Sequence, residues 1–348
     1  MILADNIILG IETSCDETSL CLIKKTNSSL PQILCLQTFS QEKIFEAWGG
    51  VVPEIASRNH HEKLVPLLKD CFRQAQLQLT DITAVAVTTS PGLLGPLLTG
   101  LNIAKTLSLI SGCALIPINH LYAHLNAITL TTEVSYPFLG MLISGGHSAY
   151  FLVAGADDFQ FLGSTIDDAA GEAFDKGGKI LNLPYPAGKK IDDFAKKGNP
   201  KKFSFPIGLE KEKTAMLSFS GLKTALKNKV IESPQLIKDH NHPLFWDLCA
   251  SYQEAILQAL ILKLNVAQNI VGKDLPVVVG GGVAANSALR LKLPHAYFVD
   301  PLFCTDNAAM IAWQGVLNWN QRISHPACLS LDAKDHIINK KNLHQKKI

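Results

Sequence analysis

No apolar run in this chain is long enough to span a bilayer, and no basic segment leads into an apolar core at its start, where Asp5 precedes the first apolar stretch. A membrane or secreted protein is therefore not expected, and the chain reads as cytoplasmic. There is no C-x-x-C pair either. The eight cysteines, Cys15, Cys21, Cys35, Cys71, Cys113, Cys249, Cys304 and Cys328, are scattered, mostly in apolar surroundings where a thiol acts as a small hydrophobe. That argues against a disulfide framework and against a zinc knuckle. Charged residues are sparse at 18% while 47% are apolar, a balance that disfavours disorder. At 348 residues the chain exceeds the size at which one core keeps growing, so two lobes are expected.

The sparse charge is unevenly placed. Between Lys176 and Lys229 thirteen lysines face four acids, a local balance of +9 in a chain whose net charge is +2. A solvated surface explains such a segment as well as a polyanion-facing patch does. A basic tail over 336–348 is expected to be frayed.

Two stretches share one form, an apolar run that ends in a loop of glycines and small hydroxyls. The first is Ile7–Glu12 leading into Thr13–Ser19, and the second is Phe138–Ile143 leading into Ser144-Gly145-Gly146-His147-Ser148. Loops rich in backbone N–H groups approach anions closely, so two of them suggest a nucleotide held by two related lobes. The rest of the chain alternates short buried strands (84–88, 114–118, 276–279) with helices expected over 53–76, 97–111, near 245–270 and from 307 to about 319.

His120-Leu121-Tyr122-Ala123-His124 puts two imidazoles at i and i+4 on one helical face, a spacing that can serve one metal ion. Packing accounts for such pairs too. Asp306 is the best third ligand, although it stands equally well as the N-cap of the helix that follows. Leu121 occupies the position where H-E-x-x-H proteases carry their glutamate base. Glu12, at the end of an apolar strand, is costly to bury unless paired or used. The acidic stretch Thr165–Lys176 fits an exposed helical face or a pocket wall, and no Ser/His or Cys/His nucleophile pair stands out.

In order, the two loops, the Ser90–Gly100 connection, the Gly280–Gly282 loop and the Asp306–Gly315 helix resemble the motifs of the actin, Hsp70 and sugar kinase fold. More specifically, residues 10–19, 49–58, 144–147, 166–176, 281–286 and 304–310 resemble the bacterial tRNA threonylcarbamoyladenosine transferase family, over about residues 7–320. The resemblance implies an α/β fold of two related lobes with mixed sheets flanked by helices: an N-terminal lobe over 1–118 completed by about 307–335, and a C-terminal lobe over 119–306 holding the metal and substrate site. It implies transfer of threonylcarbamoyl from threonylcarbamoyl-AMP to N6 of adenosine 37 in tRNAs reading codons that begin with A. His120, His124 and Asp306 would hold iron, with zinc as the alternative. Ile143, Ser144, Gly145, Gly146, His147, Asp175, Gly188, Asp192 and Asn286 would line the adenylate site, and Glu12 would be the catalytic acidic residue, positioning or polarising. Expected partners are tRNA, an inactive paralogous subunit, a small P-loop ATPase and a supplier of the adenylate, with ATP or ADP a further ligand and no membrane.

A small-molecule kinase on the same fold is the first rival and gives the histidines no role. A metallopeptidase lacks the glutamate base, and a non-enzymatic paralogue should lack the histidine pair.

Overall fold

The computed structural model describes residues 6–28, 30–272 and 274–334. The basic tail expected over 336–348 lies outside them. The chain divides into two compact units, the first drawn from residues up to Gln41, Val51–Asn126 and Asp306 onward, the second from Glu42–Gly50 and Ala127–Thr305.

The first unit carries β1 (Ile7–Glu12), β2 (Glu17–Lys24), β3 (Gln32–Ser40), β4 (Ala84–Ser90) and β5 (Ala114–Asn119), in the order β3-β2-β1-β4-β5. The second carries β6 (Phe138–Ile143), β7 (Ser148–Val153), β8 (Phe159–Ser164), β9 (Val277–Gly280) and β10 (Tyr297–Phe298), in the order β8-β7-β6-β9-β10. In both sheets the first three strands run antiparallel and the last two lie parallel to the first. The two matched stretches of sequence are thus the opening hairpins of two copies of one topology.

The apolar character of β1 follows from burial on both faces, and Ile8, Leu9 and Ile11 are fully enclosed. On one face β1 joins a core shared with Leu64 and Cys71 of the helix Pro53–Ala75 and with Leu101 and Ala104 of the helix Leu94–Ser111; on the other it meets the helix Ala308–Leu317. That last approach is so close that a Cβ on Gly10 would collide with Ala308 O and Ala312 N. The second helix begins three residues before the expected Leu97, because Pro96 falls in its first turn, where no intrahelical N–H is needed.

Several elements differ from expectation. β3, β8 and the helices Gly188–Ala195 and Ser220–Glu232 have no counterpart in the sequence reading. Residues 165–169 are not helical, and the acidic helix starts at Ala170. The division also falls after Asn126 rather than at 118, because the helix His120–Asn126 packs on the helix Ala308–Leu317, with Asn126 Nδ2 donating to Gln314 Oε1 at 2.8 Å. His120, His124 and Asp306 consequently all belong to the first unit, not to a lobe spanning 119–306.

Candidate functional site

The helix His120–Asn126 starts directly at the end of β5. Asn119 Oδ1 accepts from Leu121 N at 2.9 Å and Tyr122 N at 3.3 Å, satisfying two of the N–H groups that a helix start leaves without partners. One turn apart, His120 (3% exposed) and His124 (fully buried) present Nε2 to Nε2 at 3.2 Å. Asp306 Oδ1 lies 2.9 Å from His124 Nε2 and 3.5 Å from His120 Nε2.

Does this cluster fit a metal ion? One donor atom from each of the three residues lies within 4.8 Å of the others. One Nε2–H can donate to the other ring's Nε2 lone pair, but a single proton between the rings must also serve the nearby Asp306 carboxylate. His124 Nδ1, moreover, is buried without a hydrogen-bond partner. A cation at the convergence point would accept both Nε2 lone pairs and the carboxylate, and two imidazoles with one carboxylate suit zinc or ferrous iron. The residues fit such an ion.

The protonation tendencies differ across the cluster. Burial disfavours the His120 imidazolium, but Asp306 and Glu12 outweigh it and raise its pKa to about 9. Burial pushes the Glu12 carboxyl up, yet the His120 ring and its hydrogen bond hold it below the ordinary carboxylate value. For His124, burial and the neighbouring His120 prevail over Asp306, keeping the ring neutral more readily than a free histidine.

Glu12 is fully buried at the end of β1. Its Oε1 accepts from Ser14 N at 2.5 Å, while Oε2 accepts from Thr88 Oγ1 at 2.7 Å and lies 3.1 Å from His120 Nδ1. It therefore faces the ring nitrogen opposite the one that points at His124 and Asp306. Thr88 carries no signal in the sequence, and neither does His60, which is buried on the helix Pro53–Ala75, 2.7 Å from Thr18 Oγ1 and 2.9 Å from the Cys15 carbonyl. His60 steadies the loop after β1; one member of the pair His60-His61 in a helical pattern gives no hint of that.

In the second unit the loop after β6 closes on itself. Ser144 N donates to His147 O at 2.7 Å, and His147 N donates to Ser144 Oγ at 3.1 Å. Gly145 and Gly146 are exposed, and a Cβ on either would meet nothing within 4 Å. Packing therefore does not demand glycine there; an approaching ligand would. Beside the turn lies the start of the helix Ala170–Ile180, with Gly171 N donating to Ser144 O at 3.1 Å and Ala170 N to Ser148 Oγ at 2.8 Å. A helix N-terminus beside an open glycine turn favours an anion.

The other expected adenylate residues of this unit form two linked pairs. Asp175 Oδ1 accepts from Ala187 N at 2.8 Å and so holds the backbone next to Gly188. Asp192 accepts from Ser287 Oγ at 2.8 Å and Ser287 N at 3.2 Å, adjoining Asn286. Asn286 uses its Oδ1 to cap Leu289 N at 2.9 Å and donates from Nδ2 to Gln253 Oε1 at 2.8 Å. Gln253 was invisible in the sequence, being one polar position on a long apolar helix. Asp168 takes Lys176 and Lys223, and Asp167 takes Ser218 Oγ and Phe219 N.

A pair of sheets of this repeated order, each opening on an antiparallel hairpin, defines the actin, Hsp70 and sugar kinase class. Solved structures share the fold: the activator of the 2-hydroxyisocaproyl-CoA dehydratase from Clostridium difficile with bound ADPNP (14% identity, 90% of this chain and 97% of that one, TM-score 0.53). Full-length HypF is similar over 90% of this chain and 55% of its own, at 12% identity and a TM-score of 0.55. Within the class, the family model for tRNA N6-adenosine threonylcarbamoyltransferase matches residues 32–313. Proteins of that name are similar throughout: 43% identical over 94% of this chain and 96% of the relative in Geobacter sulfurreducens, and 41% identical over 95% and 97% in Streptococcus equi subsp. equi. The chain belongs to the tRNA N6-adenosine threonylcarbamoyltransferase family.

Proposed function

We propose that this protein transfers the threonylcarbamoyl group from threonylcarbamoyl-AMP to N6 of adenosine 37 in tRNAs reading codons that begin with A, as a cytoplasmic enzyme. The observation that carries the reading within the family is the convergence of His120, His124 and Asp306. These three would hold one ion, Fe2+ in our reading with Zn2+ as the alternative, and the ion when bound supplies a Lewis acid that polarises an oxygen of the donor group.

The remaining residues bind and orient. The Gly145 and Gly146 N–H groups, beside the start of the helix Ala170–Ile180, would receive the adenylate phosphate. Ile143, Ser144 and His147 shape that turn, while Asp175 with Gly188 and Asp192 with Asn286 present the polar walls for the nucleoside. The incoming amine forms a bond to the carbamoyl carbon as the bond from that carbon to the phosphate oxygen breaks; AMP departs with the electron pair and the amine's proton passes to solvent, so no covalent enzyme intermediate is needed. The exposed lysines Lys189, Lys190, Lys196, Lys197, Lys201, Lys202, Lys211 and Lys213 would receive the tRNA backbone. An inactive paralogous subunit, a P-loop ATPase and a source of the adenylate complete the proposed system, with ATP or ADP as a further ligand.

A kinase reading leaves the histidine and aspartate cluster without a task, and a peptidase reading meets Leu121 where its base should be. The test is direct: full-length protein, supplied threonylcarbamoyl-AMP, unmodified tRNA and the partner proteins, with the nucleosides read by mass. Threonylcarbamoyladenosine is the expected product. ATP-dependent phosphorylation of a small molecule with no change in the tRNA would refute the reading.

A further inference from the structure

The carboxyl ends of three neighbouring parallel strands converge on one imidazole. β1 ends in Glu12, β4 passes through Thr88, and β5 runs into His120; the register pairs Ile11 with Val87 and Thr88 with Ile118. Glu12 is fully buried, and both of its oxygens are engaged: Oε1 by Ser14 N, Oε2 by the Thr88 hydroxyl and the His120 Nδ1 side. A carboxylate so enclosed has no open oxygen to offer a substrate amine, so a direct proton-accepting role sits poorly with the geometry.

We propose that Glu12, oriented by Thr88 and by the Ser14 N–H, is a positioning residue that keeps a proton on His120 Nδ1 and aims the Nε2 lone pair at the metal ion. The inference rests on reading His120, His124 and Asp306 as the ion-holding set. Metal-bound histidines commonly donate their second ring N–H to a carboxylate, which fixes the tautomer, stops the ring from turning and raises the basicity of the ligating nitrogen. Here only one histidine has that support. His124 Nδ1 is buried with no partner, so the support of the pair through a second ring nitrogen rests on His120 Nδ1, which has Glu12 Oε2 at 3.1 Å and, farther off, Ser14 Oγ at 3.3 Å. Thr88 matters because its hydroxyl donates to the very oxygen that faces His120, while Ser14 N holds the other, so that both carboxylate oxygens are fixed.

The experiment measures metal affinity in the full chain, without tRNA or adenylate. Metal-stripped wild type, Glu12→Gln and Thr88→Val are titrated with Zn2+ against a chromophoric chelator, and Co2+ reports ligand geometry through its visible absorption. The expected result is a roughly 10–100-fold weaker Zn2+ affinity in Glu12→Gln and a smaller loss in Thr88→Val, with altered Co2+ spectra and unchanged far-ultraviolet circular dichroism. Wild-type affinity and spectrum in Glu12→Gln, together with lost tRNA modification, would overturn the proposal and return Glu12 to direct contact with substrate. Should Glu12→Gln fail to fold, undiminished affinity in Thr88→Val overturns it equally. Because the titration contains no substrate, failure of the transferase reading would show in the nucleoside assay and not here.

Discussion

Asn307, and not its neighbour Asp306, caps the helix Ala308–Leu317: Asn307 Oδ1 accepts from Met310 N at 3.1 Å, while Asp306 Oδ1 lies 2.9 Å from His124 Nε2. From sequence either role was open to Asp306, and the structure separates the two tasks by one residue. Asn307→Ala should cost about 1 kcal/mol of stability, as the removal of a cap does, and leave the bound metal in place. Asp306→Ala should release the metal with little effect on melting. Metal analysis beside thermal unfolding of the two variants checks both outcomes.

Two glycines that look alike in sequence should behave oppositely. A methyl on Gly145 meets nothing within 4 Å, so Gly145→Ala should melt like the wild type but raise KM for the adenylate donor. A methyl on Gly171 would lie 2.6 Å from Ser144 O and 2.9 Å from Gly145 N, so Gly171→Ala should destabilise by about 1–3 kcal/mol, the usual cost of overpacking. Denaturation midpoints and steady-state kinetics together separate the two effects.

The lysine segment carries a prediction about salt. Lys189, Lys190, Lys201 and Lys202 are exposed, and charge reversal to glutamate should weaken tRNA binding and lower its salt slope by roughly one for each phosphate left unneutralised. Affinity that ignores the reversal would make the segment an ordinary solvated face.

Asp168 links the helices Ala170–Ile180 and Ser220–Glu232 through Lys176 at 2.6 Å and Lys223 at 2.9 Å. Partial burial pushes its carboxyl up, but the two lysines prevail and hold it below the ordinary aspartate value. A depressed folded-state pKa means the unfolded chain binds the proton more readily, so this stabilisation is present above the ordinary pKa of about 3.9 and lost as pH falls below it. Asp168→Asn should therefore cost about 1 kcal/mol at neutral pH, modest because the lysines are partly exposed, and its deficit should shrink on acidification. Urea denaturation at several pH values reads the difference.

What the sequence disclosed follows the range of its periodicities. The histidine pair was legible because both members lie on one helical turn, and the two opening hairpins because their strands are buried on both faces. β3 was not, since only Cys35 of its residues is buried and the neighbours Gln32 and Ile33 are both exposed, which breaks the alternation that marks a half-buried strand. Thr88 stands 76 residues from Glu12, and Gln253 stands 33 from Asn286; no local pattern joins such pairs, which only parallel strand pairing and helix packing bring together. The attachment of His120–Asn126 to the first unit was hidden for the same reason, because it runs through a helix whose Gln314 stands 188 residues from Asn126.

The central claim is that His120, His124 and Asp306 form the metal centre of a threonylcarbamoyl transfer site, and the histidine variants test it most directly. His120→Ala and His124→Ala, each with metal content determined and then assayed with threonylcarbamoyl-AMP, tRNA and the partner proteins, should lose the bound ion and form no threonylcarbamoyladenosine while keeping a cooperative melting transition. Full activity in the double variant would contradict the account.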